Sequence, residues 1–167
     1  AWSLLGGRRQ DKIPLTFVVG VGTDSVEKMV EKAVNGQKAG FPTIKVKGGQ
    51  DIKQDLHHLG MMREGMGADG SWLRLDANTG YNNSPETWRY VDQLEELKVV
   101  LLEQPFPAEE WDAVRALRDR IRTPILLDES MQSGWAMQQL ARSPEGFVAN
   151  IKVQIAGGLL KASQMLD

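Results

Sequence analysis

Six short runs of aliphatic and β-branched residues recur along the chain, each bounded by Gly, Pro or polar positions. They are LTFVV (15–19), TIKVK (43–47), WLRLD (72–76), VVLLE (99–103), PILLD (124–128) and VANIK (148–152). Runs of this kind predict strands. The segments between them carry apolar residues at helical spacing. Val26, Met29, Val30, Ala33 and Val34 fall at i, i+3, i+4, i+7 and i+8, one face of a helix. Asp24 and Glu27 have the spacing of a capping box at its start, and Gly40 is a candidate stop. Ile52, Leu56, Leu59 and Met66 repeat the pattern. Ser84-Pro85 reads as an N-cap and first helical residue ahead of Trp88, Val91 and Leu94. Trp111, Val114 and Leu117 mark a fourth helix, Trp135 and Leu140 a shorter fifth, and Leu159, Ala162 and Leu166 the start of a sixth.

Strict strand–helix alternation predicts a parallel sheet with right-handed crossovers, an α/β fold. The candidate strand ends, Lys47, Asp76, Glu103, Asp128 and Lys152, are spaced by 29, 27, 25 and 24 residues. Such even steps suit a (β/α) TIM-type barrel. A doubly wound open sheet has the same local pattern, and spacing alone does not exclude it. After the first run, VVGVGTDS lacks the third glycine of a dinucleotide-binding fingerprint. A whole barrel takes about 250 residues. The expectation for these 167 residues is therefore a barrel truncated to six of eight units. Residues 1–14 read as a lead-in and 15–167 as the barrel, with the last two units absent.

Composition narrows the function classes. Net charge is -2 and both signs are mixed along the chain, so there is no basic stripe for nucleic acid. The absence of cysteine excludes a disulfide scaffold, a thiolate zinc site and a cysteine nucleophile. No apolar run approaches the roughly 18 residues of a membrane helix, and the start, AWSLLGGRRQ, lacks the order of a signal peptide. The expectation is a cytoplasmic enzyme with neither nucleic acid nor membrane as partner.

Candidate chemistry sits where a parallel barrel places its active site, at the C-terminal ends of successive strands. Side chains at i and i+2 share a face, so Lys45 accompanies Lys47 and Arg74 accompanies Asp76. If Lys47, Asp76, Glu103, Asp128 and Lys152 all face inward, three carboxylates converge between two cationic groups. A set of three carboxylates is a hard, all-oxygen site suited to Mg²⁺, with Mn²⁺ as a substitute. The competing reading is that each acid caps the following helix or faces solvent. A lysine acts as a base once burial or a neighbouring positive charge lowers its pKa, and Lys45 can supply that charge to Lys47. The competing reading of KVK is two solvated lysines. Asn78 and Asn150 flank these positions and could orient them. His57 and His58 fall mid-helix and read as surface residues. The five tryptophans read mainly as core on helix faces, and GGRR (6–9) reads as a solvated turn.

TIKVKGG, LRLDANTGY, LLEQP, ILLDES and NIKVQIAGG, in this order, resemble the enolase superfamily. More narrowly, they are similar to its muconate-lactonizing-enzyme subgroup of the mandelate racemase/muconate lactonizing enzyme family. The resemblance implies that Asp76, Glu103 and Asp128 bind Mg²⁺. It implies that Lys47, supported by Lys45, and Lys152 exchange protons with opposite faces of a small carboxylate substrate. The shared step is removal of the proton alpha to the carboxylate through an enediolate. Returning the proton gives racemization or epimerization of amino-acid or dipeptide type, and related chemistry gives cycloisomerization. The alternatives are a dehydratase or o-succinylbenzoate-synthase-type lyase, or a catalytically inactive barrel piece or binding module. Family members carry an upstream capping domain, absent here, and the full-length enzyme is expected to be a homo-oligomer. The neighbourhood VQIAGG departs from the lysine often found before the Gly-Gly pair, which leaves the substrate open.

Overall fold

A computed structural model describes residues 7, 11–20, 22, 24–132 and 134–165. Its six strands are β1 (Thr16–Val19), β2 (Thr43–Lys47), β3 (Trp72–Asp76), β4 (Val99–Glu103), β5 (Ile125–Leu127) and β6 (Phe147–Ala149). They form one parallel sheet in chain order, from β1 to β6. A doubly wound sheet reverses its strand order at a switch point. Here the order never reverses, as progression around a barrel requires.

The connecting helices are α1 (Val26–Lys38), α2 (Ile52–Met66), α3 (Pro85–Tyr90), α4 (Gln93–Glu96), α5 (Trp111–Arg120), α6 (Gly134–Ala141), α7 (Val153–Ala156) and α8 (Leu159–Gln164). A 3₁₀ turn spans Glu129–Met131. Side-chain caps fix several starts. The Asp51 carboxylate accepts from Lys53 N and Gln54 N to open α2. The Ser84 hydroxyl accepts from Thr87 N to open α3, with Pro85 in the first turn where a missing N–H costs nothing. The cap of α1 is Ser25, accepting from Lys28 N, and not Asp24 as the spacing suggested. Asp24 instead pairs with Lys28 and Lys32, a use for its carboxylate outside the helix start.

The core lies between the sheet and the helices. Ile44, Val46, Leu73, Leu75 and Leu102 have no exposed surface. Burial of each side chain of this size contributes roughly 1.5–3 kcal/mol. Helix α1 closes on the sheet at Gly36, where a Cβ would stand 2.8 Å from the Phe17 ring and 3.0 Å from Ile44. The period of two then sends Lys45, Lys47, Arg74 and Asp76 to the opposite face. One irregularity matters. Leu73 pairs with Val99 but Arg74 pairs with Leu101, so Val100 is skipped. This bulge shifts β4 by one residue and brings Glu103 opposite Asp76. In unbroken register Asp76 would face Leu102, and Glu103 would lie out of phase.

Several expectations change. The sixth strand is Phe147–Ala149, not 148–152. Asn150 N still bonds to Leu127 O, but Lys152 lies beyond the strand and caps the one-turn helix α7. The third helical segment is broken into α3 and α4. Trp111 is buried, whereas Trp72 and Trp135 are 63% and 55% exposed. Trp72 is in phase with Arg74 and Asp76, so it faces away from the helices that cover Leu73. His58 is half-buried, its Nδ1 without a hydrogen-bond partner among the described residues, and burial lowers its pKa. It is therefore not a solvated surface residue. Trp2, Leu166 and all of GGRR except Gly7 lie outside the described residues.

Candidate active site at the strand ends

The β2–β4 register places Lys47, Asp76 and Glu103 side by side at the C-terminal ends of three adjacent strands. Asp128 follows β5 by one residue. These carboxylates are buried: Asp76 is 0%, Glu103 3% and Asp128 7% exposed. Buried carboxylates need cations or donors, and lysines supply them. Lys45 Nζ lies 3.1 Å from Asp76 Oδ2 and 3.1 Å from Glu103 Oε2. Lys47 Nζ lies 2.6 Å from the same Asp76 oxygen and donates to Asn78 Oδ1 at 2.7 Å. Lys152 Nζ lies 2.7 Å from Asp128 Oδ2, and Asn150 Nδ2 donates to Asp128 Oδ1 at 3.1 Å.

The structure thus brings Asp76 and Glu103 together around Lys45 and gives Asp128 to Lys152 and Asn150. Among the described residues, no three Asp, Glu, His or Cys side chains are grouped so as to hold a metal ion as they stand. Both predicted asparagines contact the acid–lysine row. Asn78 donates its own N–H to Asp76 Oδ1 and its Nδ2 to Glu129 Oε1, from a left-handed backbone at φ 44.

Electrostatics follow from this packing. Burial pushes the Asp76 carboxyl upward, but hydrogen bonds from Lys47 and Lys45 outweigh it and hold it below its ordinary range. Burial and then the Asp76 charge raise Glu103. Burial alone would lower Lys45, but its hydrogen bond to Asp76 and the charge of Glu103 raise it instead. Lys152 is raised chiefly by its hydrogen bond to Asp128. Lys45, which the sequence pattern offered as the cation beside Lys47, is itself held charged by carboxylates, as is Lys152.

The sequence pattern did not single out three further groups. Glu129 lies beside Asn78, with Oε2 buried and, among the described residues, without a hydrogen-bond partner. Gln104, 1% exposed at φ 37, follows Glu103 directly. The third is a tie between loops. Asp55, on α2 and 3% exposed, accepts from Gly49 N at 2.7 Å and from Tyr81 Oη at 2.6 Å. This joins the loop after Lys47 to the loop after Asp76. Burial, together with the Asp55 charge, pushes the Tyr81 hydroxyl well above the usual tyrosine range, so it stays a donor. Tyr81 closes the LRLDANTGY motif, which was the available signal; its partner on α2 is 26 residues away in sequence. Tyr81→Phe leaves one donor fewer on a buried carboxylate. The expected loss is about 1–3 kcal/mol in urea unfolding; an unchanged midpoint and slope would show that the tie contributes nothing.

A family model described as enolase C-terminal domain-like matches residues 28–167. An N-succinyl-L-Arg/Lys racemase of Bacillus cereus is 30% identical over 164 residues, covering 98% of this chain and 44% of that protein. A hydrophobic dipeptide epimerase of Enterococcus faecalis is 30% identical, covering 99% of this chain and 46% of that protein. The chain thus spans less than half the length of these relatives. The crystal structure of a dipeptide epimerase from Cytophaga hutchinsonii, complexed with Mg and the dipeptide D-Ala-L-Val, superposes with a TM-score of 0.87 at 28% identity. It matches 99% of this chain and 44% of that one. Among the described residues no helix is long and apolar enough to cross a membrane.

Proposed function

The chain belongs to the enolase C-terminal domain-like family, and on that footing we propose that it is the barrel portion of a Mg²⁺-dependent racemase or epimerase acting on amino-acid derivatives or dipeptides. The observation that carries this reading is the row of three buried carboxylates at consecutive strand ends, flanked by Lys47 and Lys152. Asp76, Glu103 and Asp128 would hold the cation. The donor set fits: all the atoms are hard carboxylate oxygens. The position also tolerates a cation, since the Lys45 ammonium already stands between Asp76 and Glu103 at 3.1 Å from each. When bound, the divalent ion supplies charge stabilisation to substrate carboxylate oxygens as the alpha proton leaves.

The chain's own residues do the rest. Lys47 and Lys152 meet opposite ends of the carboxylate row, on the β2 side and the β6 side. Each would exchange a proton with one face of the substrate alpha carbon. Lys152 is held charged by Asp128. Released from that carboxylate it loses the interaction that raises its pKa and becomes the better base. Asn78 accepts from the Lys47 ammonium and orients it.

The test uses the full-length protein in D₂O with Mg²⁺ and a panel of dipeptides and N-acylamino acids. Exchange of the alpha proton, followed by NMR, is expected for at least one substrate together with loss of enantiomeric purity. Both should stop on chelation with EDTA. Complete absence of exchange across the panel, in folded protein saturated with Mg²⁺, defeats the reading.

A further inference from the structure

We infer that Gln104 is a positioning residue for Asp128, fixing the backbone that presents the Asp128 carboxylate. The inference rests on the reading of Asp128 as a cation ligand. Gln104 is the residue after Glu103, and its side chain crosses from the end of β4 to the end of β5. Its Oε1 accepts from Asp128 N at 2.9 Å and from Ser130 N at 3.1 Å. Its Nε2 donates to Phe106 O at 2.9 Å and to Ser130 Oγ at 2.8 Å. A primary amide has two acceptor sites and two donors, so all four are used. Ser130 Oγ donates onward to Ala108 O at 3.1 Å. The loop after β4 and the turn after β5 are therefore tied through one side chain.

The backbone at this point is also unusual. Gln104 adopts φ 37, in the left-handed region that a side chain other than Asn or Gly seldom occupies. Gln104 N donates to Leu126 O and Gln104 O accepts from Thr79 N. The residue is thus held on both sides while its amide reaches Asp128. Asp128 follows a strand of only three residues and pairs with Lys152 and Asn150, both on the next unit. The backbone before it is held by Asn150 N on Leu127 O, and its own carbonyl accepts from Met131 N. The two N–H bonds to Gln104 Oε1 fix the backbone on either side of Glu129, so the carboxylate of Asp128 projects from a set position. Residues that orient a ligand's surroundings typically carry a 10–100-fold share of metal affinity.

The experiment measures Mn²⁺ affinity of the full-length protein by EPR titration, with folding checked by circular dichroism. Gln104→Leu keeps the bulk and removes all four bonds; its Mn²⁺ affinity is expected to fall by roughly 10–100-fold. Gln104→Glu keeps the two acceptor bonds to Asp128 N and Ser130 N and is expected to recover most of that loss. Asp128→Asn must weaken binding at least as much as Gln104→Leu. Wild-type affinity in Gln104→Leu alongside weakened binding in Asp128→Asn overturns the positioning role and leaves the site reading intact. Wild-type affinity in both overturns the site reading itself. Equal loss in Gln104→Leu and Gln104→Glu shows that the bonds to Asp128 N and Ser130 N are not what matters, and overturns the inference. If Gln104→Leu does not fold, Gln104→Met, which replaces the amide by a thioether, is read in its place, and a Mn²⁺ affinity indistinguishable from wild type overturns the inference.

Discussion

Lys47→Ala in the full-length protein is expected to slow exchange of the alpha proton of one substrate enantiomer by about 10²–10⁴-fold, the usual contribution of a positioned acid–base group. Lys152→Ala is expected to do the same to the other enantiomer. The geometry separates the two roles. Lys47 Nζ sits 2.6 Å from Asp76 at one end of the carboxylate row, and Lys152 Nζ sits 2.7 Å from Asp128 at the other. A substrate carboxylate placed over the row therefore has one lysine on each side. Lys45 still neutralises Asp76 and Glu103 when Lys47 is removed, so the loss should be in proton transfer and not in folding. The measurement is deuterium incorporation from D₂O, run separately on each pure enantiomer. Wild-type exchange of both enantiomers by both variants would rule out the assignment.

Gly49→Ala is expected to destabilise the protein by about 2–6 kcal/mol, combining backbone strain with overpacking. Gly49 has φ 97, and a Cβ built on it would lie 1.9 Å from Ala77 O. That carbonyl cannot step aside cheaply, because it accepts from Gly80 N at 2.8 Å. Gly80 is equally confined, with its own Cβ position 2.1 Å from Gly49 O. The loops after β2 and β3 therefore pass backbone to backbone, and Asp55 locks them by bonding to Gly49 N and Tyr81 Oη. A methyl group between them would force apart the two segments that carry Lys47 and Asn78. Urea unfolding reads the loss of stability. A loss under 1 kcal/mol would mean that the loops have room the geometry does not show.

Much was legible in the sequence, for a definite physical reason. Strand–helix alternation is written in local periodicity, so the strand centres from TFVV to PILL and the starts of α2 and α3 could be read without tertiary information. A polar residue ending each of five successive runs marked Asp76, Glu103, Asp128 and the lysines. Local pattern is silent where two segments must meet. It could not show the bulge at Val100 that puts Glu103 opposite Asp76, since a register is a property of two strands together. It placed Trp72 in the core, because apolar character does not say which side of a sheet the helices cover. It extended β6 through Lys152, whereas pairing ends at Ala149 and the lysine is presented from the turn beyond. It could not show which carboxylates hold the lysines, since Lys45 and Lys152 are raised by partners 31 and 24 residues away in sequence. Gln104 and Tyr81 stand inside the LLEQP and LRLDANTGY motifs, but the contacts that give them a role come from Asp128 and Asp55, on different βα units. The sequence determined the elements and the residues that carry charge. Which of those residues touch, and so which way each proton is held, was decided by register and burial, which exist only once the chain is folded.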